Sequence, residues 1–158
     1  MSYQKAATHY ASLTLMLAWL AGTVLVAGEY RATAEEAQAL VAAAIEFYDE
    51  EGMEAAFAAI EDPDGALVDR DLYIFVYGPG RTIVAHGADT SLVGSVADTL
   101  IDIDGVPFGS QFMDLATEEG VWVDYKWYDP VTKEVLPKTS WVVLHDSYIF
   151  GAGIYDAD

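Results

Sequence analysis

Cysteine is absent from the 158-residue chain. This excludes a disulfide framework, thiolate metal sites and a cysteine nucleophile, and it leaves the redox compartment open, because chains from oxidising and reducing surroundings alike do without cysteine. Positive charge is scarce too: 7 Lys and Arg stand against 26 Asp and Glu, a formal net charge of −19. Such a chain repels phosphate backbones and anionic membrane surfaces, so no nucleic-acid partner is expected. The common catalytic signatures are also missing. There is no G-x-S-x-G, H-E-x-x-H, Walker loop or dinucleotide fingerprint, and Gly78-Pro79-Gly80 reads as a hairpin turn. With so many acids, paired carboxylates are unavoidable and argue for no glycosidase. Asp102-x-Asp104-Gly105 opens like a calcium loop but has no Glu at the closing position. Three histidines and no cysteine leave few ligands for a transition metal. The expectation is therefore no enzyme, no cofactor and no metal.

What is present divides near residue 28. Ala6 to Gly28 carries no charged residue, and every acid follows it. Lys5, the apolar run Ala11 to Ala27 and the small-residue triplet Ala32-Thr33-Ala34 have the anatomy of an export segment. The run is also just long enough to span a thin bilayer, so residues 1–33 read as a cleaved signal peptide or an uncleaved N-terminal membrane anchor. A periplasmic or extracellular location follows, with membrane contact only through this segment. Residues 34–158 have the composition of one globular domain.

Within that domain a helix is expected from Thr33 or Ala34, where Glu35 and Glu36 favour a helix start, with Leu40, Ala44, Phe47 and Tyr48 on one face. A turn at Glu50-Glu51-Gly52 leads to a short helix ending near Ile60. From residue 71 the texture becomes β-rich. Leu72 to Tyr77 alternates, placing Leu72, Ile74 and Val76 on one face and Tyr73, Phe75 and Tyr77 on the other. Thr82 to His86 returns as its hairpin partner. A helix over Pro107 to Glu118 and strands over Gly120–Tyr128, Lys138–Leu144 and Tyr148–Tyr155 complete the series. The order predicts an α+β, PAS-like antiparallel sheet of about five strands, with a long N-terminal helix packed on one face. The other face would hold aromatics and a short helix around a pocket.

Asp71-Leu72-Tyr73-Ile74-Phe75-Val76, Ala85-His86, Leu92-Val93-Gly94, Asp102-Ile103-Asp104-Gly105, Gly120 to Trp127, Pro130, Pro137-Lys138 and Gly153-Ile154-Tyr155 occur in this order. Together they resemble the single Cache (type 2) extracytoplasmic sensor family, from about Ala34 to Tyr155. The resemblance implies signal transduction or chemotaxis and a pocket for a small organic ligand, often a short carboxylate. Domains of this family usually precede a transmembrane helix and a signalling module. This sequence stops three residues after Tyr155, which implies a stand-alone binding protein read by a membrane receptor or transporter component.

The residues themselves point the same way. Lys138, Ser140 and Val142 alternate along one strand; if that face turns inward, the ammonium enters an aromatic environment where it needs an anion. A ligand carboxylate supplies one. Solvent exposure, or pairing with a surface acid, is the competing reading. Tyr125 and Trp127 share a face, and the resemblance favours them as the inward pair; Tyr73, Phe75 and Tyr77 carry the same argument. His86, at a strand end, either donates to the ligand or caps local backbone, and His145 reads as a turn residue. The alternative function is a structural or protein-interaction domain with a vestigial pocket, and an unrecognised hydrolase is a third.

Overall fold

A computed structural model describes residues 31–156 of the chain. Helix α1 spans Ala34–Glu51 and begins with a reciprocal cap. The Thr33 hydroxyl accepts from the Glu36 N–H at 3.2 Å, and the Glu36 carboxylate accepts from the Thr33 N–H at 2.8 Å. The helix is broken at a single residue, Gly52, whose φ of 85° is a conformation glycine adopts without strain. Helix α2, Met53–Glu61, starts at once beyond it.

Six strands follow, with helix α3 (Phe108–Leu115) between the third and fourth: β1 (Val68–Asp69), β2 (Leu72–Tyr77), β3 (Ile83–His86), β4 (Val121–Tyr128), β5 (Val135–His145) and β6 (Tyr148–Tyr155). All pair antiparallel. The order is β2-β6-β5-β4, with β1 and β3 sharing the free edge of β2. This is the predicted PAS-like α+β arrangement with one added two-residue strand. Strand β5 starts earlier than expected, and Pro137 lies within it. The pairing Lys138↔Tyr155 is the last between β5 and β6, so Pro137 sits beyond the end of its β6 neighbour, where a missing N–H breaks no ladder bond on that side.

Helix α1 crosses β6, β5 and β2 on one face of the sheet. Its buried stripe is Ala37, Val41 and Ala44; Leu40 and Tyr48 flank it, and Phe47 is 36% exposed. The expectation that Phe47 belongs to the core stripe is therefore corrected. The acids Glu35, Glu36, Glu46, Asp49, Glu50 and Glu51 lie off this stripe, and its small residues let the helix approach the sheet more closely than bulky ones. Leu72, Ile74 and Val76 from β2, with Phe150 and Ala152 from β6, form the floor it packs on. Helix α3 covers β4 on the opposite face. Among the described residues no helix is long and apolar enough to cross a membrane. The apolar run at residues 11–27 lies outside them.

Candidate ligand-binding site

The second face of the sheet is built from alternate residues of the same strands. Tyr73, Phe75 and Tyr77 point from β2, Val123 and Tyr125 from β4, Val142 from β5, and Ile149 and Tyr155 from β6. Phe108 and Phe112, one helical turn apart on α3, close over them. The Phe108 ring stacks on Tyr125 at 4.4 Å and meets Trp127 edge-on at 5.1 Å, while Phe112 stacks on Phe75 at 5.3 Å.

Lys138 lies inside this aromatic layer, 1% exposed. Its Nζ donates to the Tyr73 hydroxyl at 2.7 Å. It stands 4.1 Å from the Tyr73 ring centre, 4.7 Å from Tyr155, 5.8 Å from Phe75 and 6.0 Å from Tyr125. An ammonium has three N–H donors, and one is engaged among the described residues. The cation also makes no ion pair among them. Burial drives its pKa down to about 7, with the charges of Asp71 and Asp129 opposing the fall. Gly153 makes the place for it. Gly153 pairs with Ser140 across the strands, and a Cβ at 153 would collide with Ser140 Oγ and Lys138 Cε.

Hydroxyl groups surround the lysine. Tyr73 and Tyr155 hydroxyls lie 3.1 Å apart, Tyr155 donates to the Tyr128 carbonyl at 2.8 Å, and Tyr125 meets Ser140 at 3.0 Å. Burial pushes the pKa values of Tyr73, Tyr125 and Tyr155 up, so these phenols stay protonated and able to donate. The His86 ring lies 5.0 Å from that of Tyr73. Its Nδ1 accepts from the Asp89 N–H at 3.0 Å, so Nε2 carries the proton. Burial, reinforced by the Lys138 charge, lowers the pKa of His86 to about 4. His86 thus caps local backbone and faces the aromatic layer at once. His145 is remote from this layer and pairs with Asp49 of α1 at 2.7 Å.

A cavity of about 10 Å³ lies under α3 and is lined by Phe75, Tyr77, Ile83, His86, Leu92, Leu100, Phe108, Phe112, Tyr125 and Trp127. Its wall includes two of the rings that face Lys138 but not Lys138 itself. The space is roughly enough for one water molecule, so a carboxylate enters only if side chains of the layer move. A larger concavity, about 1030 Å³, lies on the opposite face between α1 and β5. Its lining includes Glu46, Asp49, Glu50, Glu118 and Asp146 and no Lys or Arg, so it repels an anion.

All seven residues singled out from the sequence, Lys138, Tyr125, Trp127, Tyr73, Phe75, Tyr77 and His86, fall on this one face. Sequence reasoning missed Tyr155 as a site residue, and it expected a short helix on this face without naming Phe108 and Phe112 as the residues that close over Tyr125 and Phe75. The signal for Tyr155 was available: Gly151, Gly153 and Tyr155 alternate along β6, and two glycines on one strand face mark a place where large side chains from neighbouring strands need room. It also missed a buried ion cluster at the edge of the site. Arg31 Nη1 bridges Asp71 at 3.0 Å and Asp129 at 2.7 Å, and both acids are fully buried. No spacing in the sequence joins these three residues.

Solved structures with this fold include a methyl-accepting chemotaxis protein from Vibrio parahaemolyticus (TM-score 0.64, 23% identity, covering 77% of this chain and 86% of that one). A periplasmic sensor domain of a chemotaxis protein follows (TM-score 0.59, 22% identity, 78% and 90% covered). A third is a Cache chemosensory domain described as recognising carboxylic acids (TM-score 0.56, 20% identity, 78% and 88% covered). At these identities the likeness is one of fold. No curated protein sequence matches significantly. The sequence profile of single Cache domain 2 matches residues 7–158, nearly the whole chain, and the chain therefore belongs to the single Cache domain 2 family of sensor domains.

Proposed function

We propose that this Cache domain binds a small organic carboxylate through Lys138 and serves as an extracytoplasmic sensor. The observation that carries the reading is the buried ammonium, ringed by tyrosine hydroxyls, with two donors unused and no carboxylate in contact among the described residues. A carboxylate reaching Nζ gains charge-assisted hydrogen bonds, each worth roughly 1.5–3 kcal/mol. Tyr125 can turn its hydroxyl proton from Ser140 to the ligand, whereas Tyr155 already donates to the Tyr128 carbonyl and Tyr73 to Tyr155, so those two donate to a ligand only by giving up these bonds. Phe75, Phe108, Phe112 and Trp127 would enclose the ligand's carbon skeleton, and Tyr77 and His86 would complete the far wall. The Cache domain of similar fold described as recognising carboxylic acids supports the assignment. We place the location outside the cytoplasm, with the export or anchoring segment read at residues 1–33 ending before Arg31, whose bonds to Asp71 and Asp129 make it part of the ligand-binding unit.

A thermal-shift screen of small mono- and dicarboxylates beside cationic and neutral compounds of similar size tests this. A ligand at 100 times its Kd adds about 2.7 kcal/mol to stability, which raises the melting point by several degrees in a domain of this size. A hit that Lys138→Met abolishes supports the reading. A screen in which only cationic or neutral compounds stabilise the domain overturns it.

A further inference from the structure

Next to the aromatic layer lies a second set of buried charges, which the carboxylate reading does not use. Asp71 precedes β2, Asp129 ends the β4 side of the β4–β5 turn, and Arg31 precedes α1. Both acids are fully buried, and Arg31 is 16% exposed at its side chain. Asp71 spends its oxygens on Arg31 and on the Ala32 N–H, at 3.0 and 2.9 Å. Asp129 accepts from Arg31, from the Val131 N–H at 2.8 Å and from the Thr132 hydroxyl at 2.7 Å. Burial alone would raise the Asp129 carboxyl, but these donors outweigh it and hold it below the ordinary range, so it is ionised. Lys138 feels both acids through space.

The connection is also covalent and hydrogen-bonded. Lys138 donates to Tyr73, two residues from Asp71; Tyr73 meets Tyr155; and Tyr155 donates to the carbonyl of Tyr128, the neighbour of Asp129. Arg31 stands two residues before Thr33, the cap of α1. Two cations, Arg31 and Lys138, thus balance two acids, and one end of the set lies in the binding layer while the other lies at the start of the long helix. His86, neutral beside Lys138, and the protonated tyrosines add no charge to the balance.

We infer that the Arg31–Asp71–Asp129 cluster reads the charge state of Lys138 and passes it to the first turn of α1. The inference rests on the proposal that an anion binds Lys138. When a carboxylate neutralises the ammonium, Asp71 and Asp129 retain Arg31 as their one cation among the described residues, and releasing Arg31 becomes more costly. Occupancy therefore tightens the hold on the start of α1. Coupling is reciprocal, so whatever loosens Arg31 strengthens the pull of the two acids on Lys138.

The test needs no ligand, so its failure is distinct from failure of the carboxylate reading. In the full chain, Lys138→Met removes the charge as a bound anion would. Amide exchange of Ala32, whose N–H is held by Asp71, should slow at least about fivefold, the lower end of usual coupling. In Arg31→Gln the titration midpoint of Lys138, followed by NMR of its side chain, should move to higher pH, by about 1 for a tenfold coupling. If Arg31→Gln does not fold, the Ala32 exchange in Lys138→Met decides alone. Unchanged or faster Ala32 exchange in a folded Lys138→Met protein overturns the inference.

Discussion

The two faces of one sheet divide stability from recognition. Strand β2 serves both: Leu72, Ile74 and Val76 enter an aliphatic layer under α1, while Tyr73, Phe75 and Tyr77 enter the layer with Lys138. The first layer buries aliphatic groups and Phe150 without a buried charge. The second buries an ammonium, a serine hydroxyl and four phenols. Every buried side-chain polar atom among the described residues nonetheless has a partner. A core selected for packing alone would fill those positions with Leu or Val, because desolvating a charge is costly. The contrast shows where the domain gives up stability for function.

Breaking the aliphatic layer should have the largest effect on folding. Phe150→Ala is expected to cost 3–5 kcal/mol in denaturant unfolding, as buried Phe truncations do, with little change in ligand affinity once the domain is folded. Loss of Arg31 is comparable, since it strands two buried acids. A chain beginning at Ala34 should be less stable than one beginning at Arg31 by about 3–5 kcal/mol in the same assay. That result would move the start of the folded unit upstream of the boundary read from the sequence.

Acid should act on the recognition layer through His86. Its folded pKa of about 4 lies below the ordinary 6.5, so the stability it contributes is present above pH 6.5 and is lost as pH falls towards 4. The loss amounts to about 3 kcal/mol at full protonation. Chemical denaturation at stepped pH should show it, and His86→Gln should flatten that part of the profile. Gly153→Ala should cost about 1–3 kcal/mol through the collision with Ser140 and Lys138, without disturbing α1. Tyr125→Phe has the smallest expected effect, about 1 kcal/mol of stability for the lost bond to Ser140.

The sequence made these two faces legible because a strand's period of two sorts side chains without further information. The alternation in Leu72–Tyr77, in Val121–Tyr128 and at Lys138, Ser140 and Val142 sorted these candidates into faces, while the choice of Tyr125 and Trp127 as the inward pair came from the family resemblance and the facing of Lys138 stayed open. The capping signal at Thr33 and Glu36 and the break at Gly52 are equally local. The stripe of α1 was read less well, since the middle of the helix, residues 39–45, is apolar all round and offers no clear face, and Phe47 misled by its size. The Arg31–Asp71–Asp129 cluster was invisible. Its members lie 40 and 58 residues apart along the chain, among 26 acids that all look alike, and only the closing of the sheet edge onto the start of α1 selects these two. The near-closed state of the site was hidden for a similar reason: it depends on how Phe108 and Phe112 seat against Tyr125 and Phe75.

Lys138→Met tests the division most directly, because one substitution should move the two faces' properties in opposite directions. Calorimetric titration of the folded variant with the best carboxylate from the screen should show affinity reduced about 10- to 150-fold, the loss of one charge-assisted bond of roughly 1.5–3 kcal/mol. Denaturant unfolding of the unliganded variant at pH 7 should show no loss of stability, or a gain, since a buried ammonium has been replaced by an apolar chain of similar length. The wild type should gain stability between pH 7 and 10.5, because Lys138 releases its proton there in the folded state and retains it when unfolded; the variant should not. Undiminished carboxylate binding by a folded Lys138→Met protein would contradict the account.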